Sequence, residues 1–193
     1  YRSANRSWGS TAHLRGMKLH THDGGFHVAG IVNWPGGIKP GQVVDTPASA
    51  LDLLPTACAL ADVPVPVHRS LDGVNLASLF ITGQAPARKK PLVWAYYNGI
   101  NAARVAMRHG QWKVLACLNG GSFPKRQNLT PTGLAEAKSA RLTDFEIYDI
   151  SADPGELSNL AGHDCAQQAE LIARITSGYD ELVNDSPAWI PVE

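Results

Sequence analysis

The stretch RVAMRHGQWKVLACL, residues 104–118, contains two strand-like runs separated by a short turn signal. The dipeptide His109-Gly110 between the runs is typical of a tight connection in a β-hairpin. Two further runs, PLVWAYY at 91–97 and FEIYDI at 145–150, have the aromatic and β-branched composition of strands. The sequence therefore predicts a small antiparallel sheet built from these four segments.

An amphipathic helix is predicted after the sheet, between Asp164 and Leu182, with Asp164 as its N-cap. A helix of this kind buries one apolar face against its neighbour. The positions that share this face are Leu171, Ile175, Leu182, Gln168 and Gly178. We therefore expect the C-terminal helix to cover one side of the sheet.

The first part of the chain has a different pattern. Residues 1–25 are polar and glycine-rich and are predicted to form a loop. The run FHVAGIVNW, residues 26–34, has the composition of a buried strand and ends at a Pro-Gly-Gly turn. A helix is predicted at about 53–61, with Asp52 as its N-cap and Pro55 in its first turn. The apolar face of that helix consists of Leu51, Leu54, Cys58 and Ala61.

Composition excludes several classes of function. The chain of 193 residues has 17 basic and 17 acidic side chains, so no net charge favours nucleic acid or an anionic membrane as a partner. No apolar run reaches the roughly 18 residues that a membrane helix needs. Three widely spaced cysteines, Cys58, Cys117 and Cys165, indicate free and buried thiols rather than a disulfide framework or a zinc site.

The segment LRGMKLHTHDGG, residues 14–25, concentrates charge, histidine and glycine. Its histidines, His20 and His22, together with His27, lack the spacing of a metal site, so we predict no metal ligands here and leave surface, supporting and substrate-contacting roles open. Lys18 lies between glycines, which allow close approach of the backbone to a ligand, and its ammonium can neutralise a sulfuryl or phosphoryl oxygen. Spacing alone also allows a solvated charge.

Five segments together resemble the sulfatase family, which lies in the alkaline phosphatase superfamily. The first resembles its Leu-Arg-Gly-x-Lys loop, with an acid and Gly-Gly before an apolar run that ends in Trp-Pro-Gly. The others resemble its Leu-Asp-Leu-Leu-Pro-Thr helix, its Asp-Gly-Val-x-Leu segment, its Val-Arg-x-Gly-x-Trp-Lys hairpin and its Leu-Tyr-Asp-Leu-x-x-Asp-Pro-x-Glu closing motif. In order, the segments are LRGMKLHTHDGGFHVAGIVNWPGGIKPGQ, ALDLLPTACALADVPVP, LDGVNLASLF, RVAMRHGQWKVL and FEIYDISADPGELSNLA.

The resemblance implies a fold class and a domain organisation. The class is α/β, with residues 1–85 as the C-terminal end of a large catalytic domain. Residues 86–193 would be the small four-stranded antiparallel sheet with its C-terminal helix. The chain is thus expected to be the C-terminal portion of a sulfatase such as an arylsulfatase, which hydrolyses sulfuric esters.

The resemblance also implies roles for residues of the first segment. Lys18 matches the catalytic lysine that contacts the sulfate, and His22 is a further candidate for substrate binding. The residues expected to support the loop are Arg15, Gly16, Asp23, Gly24 and Gly25. The family usually has Arg where this chain has His27 and Pro where it has Ala29, so an ion pair between the family's acid and its Arg is not expected in the same form.

The remaining sulfatase machinery is expected upstream of this segment. The family uses a formylglycine made from a Cys/Ser-x-Pro-x-Arg motif and a divalent cation, calcium, held by Asp and Asn. The stretch SFPKR, residues 122–126, formally fits that motif, but its position between strands and its bulky Phe123 indicate a loop without this role. The chain by itself is therefore predicted to have no sulfatase turnover and no cofactor of its own.

Two other classes stay open from the sequence. One is a phosphate or phosphonate ester hydrolase of the same superfamily, because a lysine charge does not choose between the two anions. The other is a separately encoded binding or assembly module that begins near Tyr1. The expected partner is a small-molecule or carbohydrate sulfate ester, and a truncated sheet would favour self-association. The compartment stays open, although periplasmic, secreted or lysosomal locations are typical of the family.

Overall fold

A computed structural model of the chain describes residues 10–68, 70–163 and 166–185. The described residues of Tyr1–Val28 and Pro91–Glu193 form one compact unit, and those of Ala29–Lys90 form a second. We refer to them as the sheet unit and the middle unit. The predicted boundary near residue 85 between a large domain and a small one stays a prediction.

The sheet unit contains the four-stranded antiparallel sheet that the sequence predicts. Its strands are β1 (Leu92–Ala95), β2 (Val105–His109), β3 (Trp112–Leu118) and β4 (Leu142–Asp149), in that spatial order. His109 pairs with Trp112, so Gly110, at φ 56°, and Gln111 form the turn of the predicted hairpin. The turn is therefore shifted by one residue from the predicted dipeptide.

Strand alternation gives the sheet two different faces, because successive side chains point to opposite sides. One face carries apolar side chains of β2, β3 and β4 and packs against the last helix, α5 (Gln168–Asn184). The other face carries Ala106, Leu115 and Tyr148 in a smaller apolar cluster with Phe26 and Trp94. The residues that α5 buries are Leu171, Ile175, Tyr179 and Val183.

The helix α5 confirms the predicted C-terminal helix, and its buried face includes two residues beyond those predicted. Leu171 and Ile175 are buried as predicted, and Leu182 is half-buried and packs against the same core. Tyr179 and Val183 are also buried on this face. Gly178 permits close packing, since a Cβ there would lie 2.7 Å from Cγ2 of Val93. The predicted N-cap, Asp164, lies outside the described residues, as do residues 1–9 of the predicted loop.

The helix between β3 and β4 was not predicted. Helix α4 (Pro131–Ser139) lies between β3 and β4. Thr130 is its N-cap and accepts a hydrogen bond from the backbone N–H of Gly133, with Pro131 at the first helical position. A Thr-Pro pair in this position is a recognisable start signal, because proline lacks only an N–H that has no helical partner there.

The middle unit contains a 3₁₀ turn (Ala50–Asp52) and two helices, α2 (Leu53–Leu60) and α3 (Ala77–Thr82). The predicted helix exists, but its predicted face is wrong: Leu51, Leu54 and Ala61 are exposed and Cys58 is half-buried. The buried positions are Asp52, Pro55 and Thr56.

Polar contacts of Asp52 explain this different orientation of α2. The Asp52 carboxylate accepts hydrogen bonds from the backbone N–H groups of Ser49 and Val74 and pairs with Nη2 of Arg88 at 2.6 Å. Asp52 is the N-cap of α2 as predicted, although its side chain makes no capping bond to that helix, and Ser49 caps the preceding 3₁₀ turn by accepting from the backbone N–H of Leu51. A buried carboxylate needs such partners, and the helix turns its Asp52 side inward to supply them.

The predicted strand at 26–34 is not formed. Phe26 ends the short helix α1 (Asp23–Phe26), and the following residues have no regular structure, with Ile31 92% exposed. A strand needs a neighbouring strand for its backbone hydrogen bonds, and within the described part of the chain none pairs with this segment. The turn after Trp34 is present, with Gly37 and Ile38 donating to the Trp34 carbonyl.

Two other predictions concern the whole chain. No helix in the described ranges has the length and apolar character needed to cross a membrane. Of the three cysteines, Cys117 is buried and free as predicted and Cys58 is free and half-buried, while Cys165 lies outside the described residues.

Packing between α5 and the sheet predicts a large cost for truncating Ile175. This side chain has no exposed surface, so Ile175→Ala leaves a cavity and should lower the free energy of unfolding by about 3 kcal/mol. Ile172→Ala, a matched change at a half-buried position of the same helix, should cost about 1 kcal/mol. Urea unfolding measures both, and equal costs would contradict this assignment of the buried face.

Candidate functional site

The loop that carries Lys18, residues 14–25, is part of the sheet unit. Backbone and side-chain hydrogen bonds attach it to the segment between β1 and β2. Ile100 donates its backbone N–H to the Leu19 carbonyl at 2.9 Å. Thr21 donates from its backbone to Oδ1 of Asn101 and from its hydroxyl to the Ala103 carbonyl, both at 3.1 Å. Thr21 is fully buried. The residues next to Lys18 are therefore fixed by the connection between β1 and β2.

Lys18 itself is exposed at the turn of this loop. His20 closes the turn by donating its backbone N–H to the Met17 carbonyl at 2.9 Å, and Leu19 has a positive φ of 76°. Among the residues that the structure describes, none forms an ion pair or a side-chain hydrogen bond with the Lys18 ammonium. Its charge is thus available to an external anion.

Close backbone packing explains two of the glycines in the loop. A Cβ on Gly24 would lie 2.5 Å from the Arg15 carbonyl oxygen, and one on Gly25 would lie 2.1 Å from the carbonyl oxygen of His20. Gly24 also donates its N–H to the Arg15 carbonyl at 2.8 Å. Gly16 has a φ of 84°, a region that favours glycine. The contacts of these residues lie within the loop, while their role in a sulfatase site stays a prediction.

Asp23 joins the loop to the sheet through an ion pair. Its Oδ1 accepts a 2.6 Å bond from Nζ of Lys113, a β3 side chain only 1% exposed, and its Oδ2 lies 3.9 Å from Nη1 of Arg108. The Lys113 ammonium also lies over the rings of Phe26 and Trp94, at 5.2 and 5.9 Å from their centres. The acid of the Gly-Gly motif therefore pairs with a sheet lysine, whereas His27 is exposed.

His22 is placed differently from Lys18. It is 5% exposed, and neither ring nitrogen has a hydrogen-bond partner in the described part of the chain, with Nε2 3.9 Å from Oε2 of Glu146. Burial, helped by the charge of Arg15, lowers the pKa of His22 to about 4. The imidazole is therefore neutral near pH 7. Its predicted contact with substrate stays a prediction.

Arg15 attaches the start of the loop to two other elements. Its Nη1 donates to the Tyr148 hydroxyl at 3.0 Å and to the Glu156 carbonyl at 2.8 Å. The Tyr148 hydroxyl donates in turn to Oε2 of Glu146 at 2.6 Å, and burial together with this carboxylate raises the pKa of Tyr148. Arg15 thus contacts β4 and the turn that follows it.

Glu156, in the turn after β4, is a second buried residue with an ionisable side chain that contacts the loop, besides Lys113. Its side chain has no exposed surface, and its Oε2 accepts the backbone N–H of Asp23 at 2.8 Å. Burial raises the pKa of this carboxyl to about 7, although the Lys113 charge acts in the opposite direction. Sequence reasoning gave no role to Glu156 or Lys113, yet both lie in segments that resemble the family, the closing motif and the Trp-Lys hairpin.

The described residues do not fit a metal site. No group of three His, Cys, Asp or Glu side chains in these ranges is arranged to bind an ion. Asp23, the acid nearest Lys18 in sequence, already pairs with Lys113. The stretch 122–126 also lacks the features of a nucleophile site: Phe123 packs in the main core, and Ser122 Oγ donates to the Asn119 carbonyl at 2.6 Å.

Comparison with known proteins gives the class of this chain. It is 27% identical to steryl-sulfatase of Rattus norvegicus over 98% of its own length and 36% identical to arylsulfatase A of Homo sapiens over 80%. It is also 29% identical to N-acetylgalactosamine-6-sulfatase of Mus musculus over 93%. No protein-family model matches the chain. The similarity to these relatives places the chain in the sulfatase family, as its motifs predicted.

The similarity covers only part of each relative. The chain spans 36% of the rat steryl-sulfatase and 30% of human arylsulfatase A, about a third of their length. The crystal structure of Ps i-CgsB is similar in fold, with a TM-score of 0.60 and 24% identity over 91% of this chain and 33% of that one. The mixed α/β fold class with its antiparallel sheet is thereby confirmed.

The Asp23–Lys113 pair predicts a context-dependent cost for removing the lysine. Lys113→Met leaves Asp23 without its 2.6 Å partner and should lower the free energy of unfolding by about 3 kcal/mol. In an Asp23→Asn background the same change should cost about 1–2 kcal/mol less, because no carboxylate is left unpaired. Urea unfolding of the four chains gives the coupling, with Lys138→Met on the exposed side of α4 as the matched control. Equal costs in both backgrounds would refute the pairing.

The raised pKa of Glu156 predicts a pH-dependent difference in stability. Between its ordinary value of 4.5 and about 7, the folded chain keeps a proton that the unfolded chain releases, so ionisation of Glu156 costs stability as pH rises. Relative to the wild-type chain, Glu156→Gln should gain about 2 kcal/mol between about pH 5 and about pH 8. Urea unfolding at the two pH values measures this gain. The exposed Glu170→Gln should show none, and a Glu156→Gln difference that is independent of pH would contradict the assignment.

Proposed function

We propose that this chain is the C-terminal portion of a sulfatase that hydrolyses small-molecule or carbohydrate sulfate esters, and that Lys18 contacts the sulfate. The similarity to sulfatases over most of the chain supports the reaction class. The observation that carries the role of Lys18 is its geometry: an exposed ammonium with no partner among the described residues, on a loop whose neighbouring residues are buried and hydrogen-bonded.

The chemical contribution of Lys18 is electrostatic. In sulfate ester cleavage, negative charge develops on the oxygens of the sulfuryl group and on the departing alcohol oxygen. A fixed ammonium near the sulfuryl oxygens stabilises that charge more in the transition state than in the bound ester, and this difference accelerates the reaction. The nucleophile and the divalent cation of the family would come from the remainder of the longer enzyme.

Substitution of Lys18 tests this role in the longer chain that the proposal implies. Lys18→Ala should lower kcat/KM for an aryl sulfate by about 100-fold, the usual effect of removing one charge-stabilising group. Lys18→Arg should keep part of the activity, because it keeps the positive charge. Lys138→Ala, which removes an exposed lysine of α4, should have no effect. Full activity of Lys18→Ala would refute the proposed contact.

The alternative within the superfamily is an enzyme for phosphate or phosphonate esters. Lysine binds both anions as a point charge, so the two alternatives share the same role for Lys18. Parallel assays with an aryl sulfate, an aryl phosphate and a phosphonate ester separate them. The proposal requires the highest kcat/KM with the sulfate, and a preference for either other ester would support the alternative.

A further inference from the structure

Glu156 lies in the turn after β4 and contacts the loop of residues 14–25. In the sequence Asp153-Pro154-Gly155-Glu156, Oδ2 of Asp153 accepts backbone N–H bonds from Leu157 and Ser158, both at 2.8 Å. Glu156 donates its own N–H to the Asp153 carbonyl at 3.1 Å and has a positive φ of 50°. A non-glycine residue adopts such a φ at a cost, and the surrounding hydrogen bonds here stabilise it.

Glu156 contacts the loop on both sides of Lys18. On the N-terminal side, its carbonyl oxygen accepts from Nη1 of Arg15 at 2.8 Å. On the C-terminal side, its carboxylate oxygen Oε2 accepts from the backbone N–H of Asp23 at 2.8 Å. Lys18 lies between these two attachment points in the chain. One residue of this turn thus contacts both ends of the segment that presents the ammonium, in addition to the bonds that Leu19, Thr21 and Asp23 make with the β1–β2 connection and with Lys113.

We propose that Glu156 is a positioning residue for Lys18, which acts by attaching Arg15 and Asp23 to the turn after β4. This inference rests on the proposed function, since it assumes that Lys18 contacts the sulfate. Loss of one attachment lets the segment that carries Lys18 shift, and a displacement of about one ångström can cost about 100-fold in rate. The lysine charge would then be present but misplaced.

The charges around Glu156 support attachment rather than direct contact with substrate. Lys113 of β3 and Arg108 of β2 face Asp23 on the sheet side, and Arg15 faces the carbonyl of Glu156 on the loop side. The Glu156 carboxylate has no exposed surface. It therefore acts on a bound ester only through the loop that covers it.

Activity of single and double variants in the longer enzyme tests the inference. Glu156→Ala removes the carboxylate that accepts from Asp23 and should lower kcat at least about tenfold, with a smaller change in KM. Glu156→Gln keeps a carbonyl acceptor and should stay within about threefold of the wild type. Glu156→Ala combined with Lys18→Ala should be no slower than Lys18→Ala alone, because the positioning effect needs the lysine. Glu170→Ala is the matched control on an exposed face of α5.

A second attachment keeps the test decisive if Glu156→Ala does not fold. Arg15→Ala removes the contact with the Glu156 carbonyl, together with the bond to the Tyr148 hydroxyl, and leaves the Glu156 side chain in place. It should give the same pattern, a lower kcat that disappears in the Lys18→Ala background. Losses that multiply in the double variants, or wild-type kcat in Glu156→Ala and Arg15→Ala while Lys18→Ala is impaired, would overturn the positioning role.

Hydrogen exchange separates this inference from the proposed function. In Glu156→Ala the amides of Asp23 and Gly24 should exchange at least about tenfold faster than in the wild type and in Glu170→Ala, because the attachment at Oε2 is lost. Unchanged exchange would overturn the attachment whatever the activity. Faster exchange together with a fully active Lys18→Ala would refute the sulfate contact, and with it the positioning role, while leaving the attachment itself established.

Discussion

The ion pair between Asp23 and Lys113 is the interaction on which the loop depends. Lys113 is a charged side chain in a nearly continuous buried strand, and a buried ammonium without a counter-charge is strongly unfavourable. Asp23 of the loop supplies the counter-charge, so the Lys113 ammonium remains paired only while the loop keeps its position against the sheet. Loop position and core stability are therefore linked, and the exposed Lys18 is presented from a segment whose displacement would leave a buried charge unpaired.

Local patterns in the sequence predicted the parts of the fold that rest on local interactions. The alternation around β2 and β3 and the turn at Gly110 specify a hairpin, because strand pairing there involves adjacent segments. The run 26–34 does not form the predicted strand. A buried strand takes its hydrogen bonds from segments that are distant in the chain, and amino-acid composition does not show whether such segments pair with it. The face of α2 was wrong for a related reason: the contacts of Asp52 with Val74 and Arg88 outweigh the apolar pattern.

The candidate site was predictable in part. Lys18 and the glycines stand out because charge and glycine are concentrated in one segment, and the family resemblance assigns that segment a role. Lys113 and Glu156 were missed, because they lie 90 and 133 residues from Asp23 in the chain and only the folded structure shows that they meet. A lysine at an alternating position of a buried strand is a usable signal of a buried partner.

Two buried titratable groups, His22 of the loop and Glu156 after β4, have a joint consequence. His22, whose pKa falls from 6.5 to about 4, makes the folded chain less stable as pH falls through that range, since the unfolded chain binds the proton more readily. Glu156 has the opposite effect between 4.5 and about 7. Where the ranges overlap, one contribution offsets the other. In mildly acidic solution these two groups together therefore change the stability of the sheet unit less than either would alone.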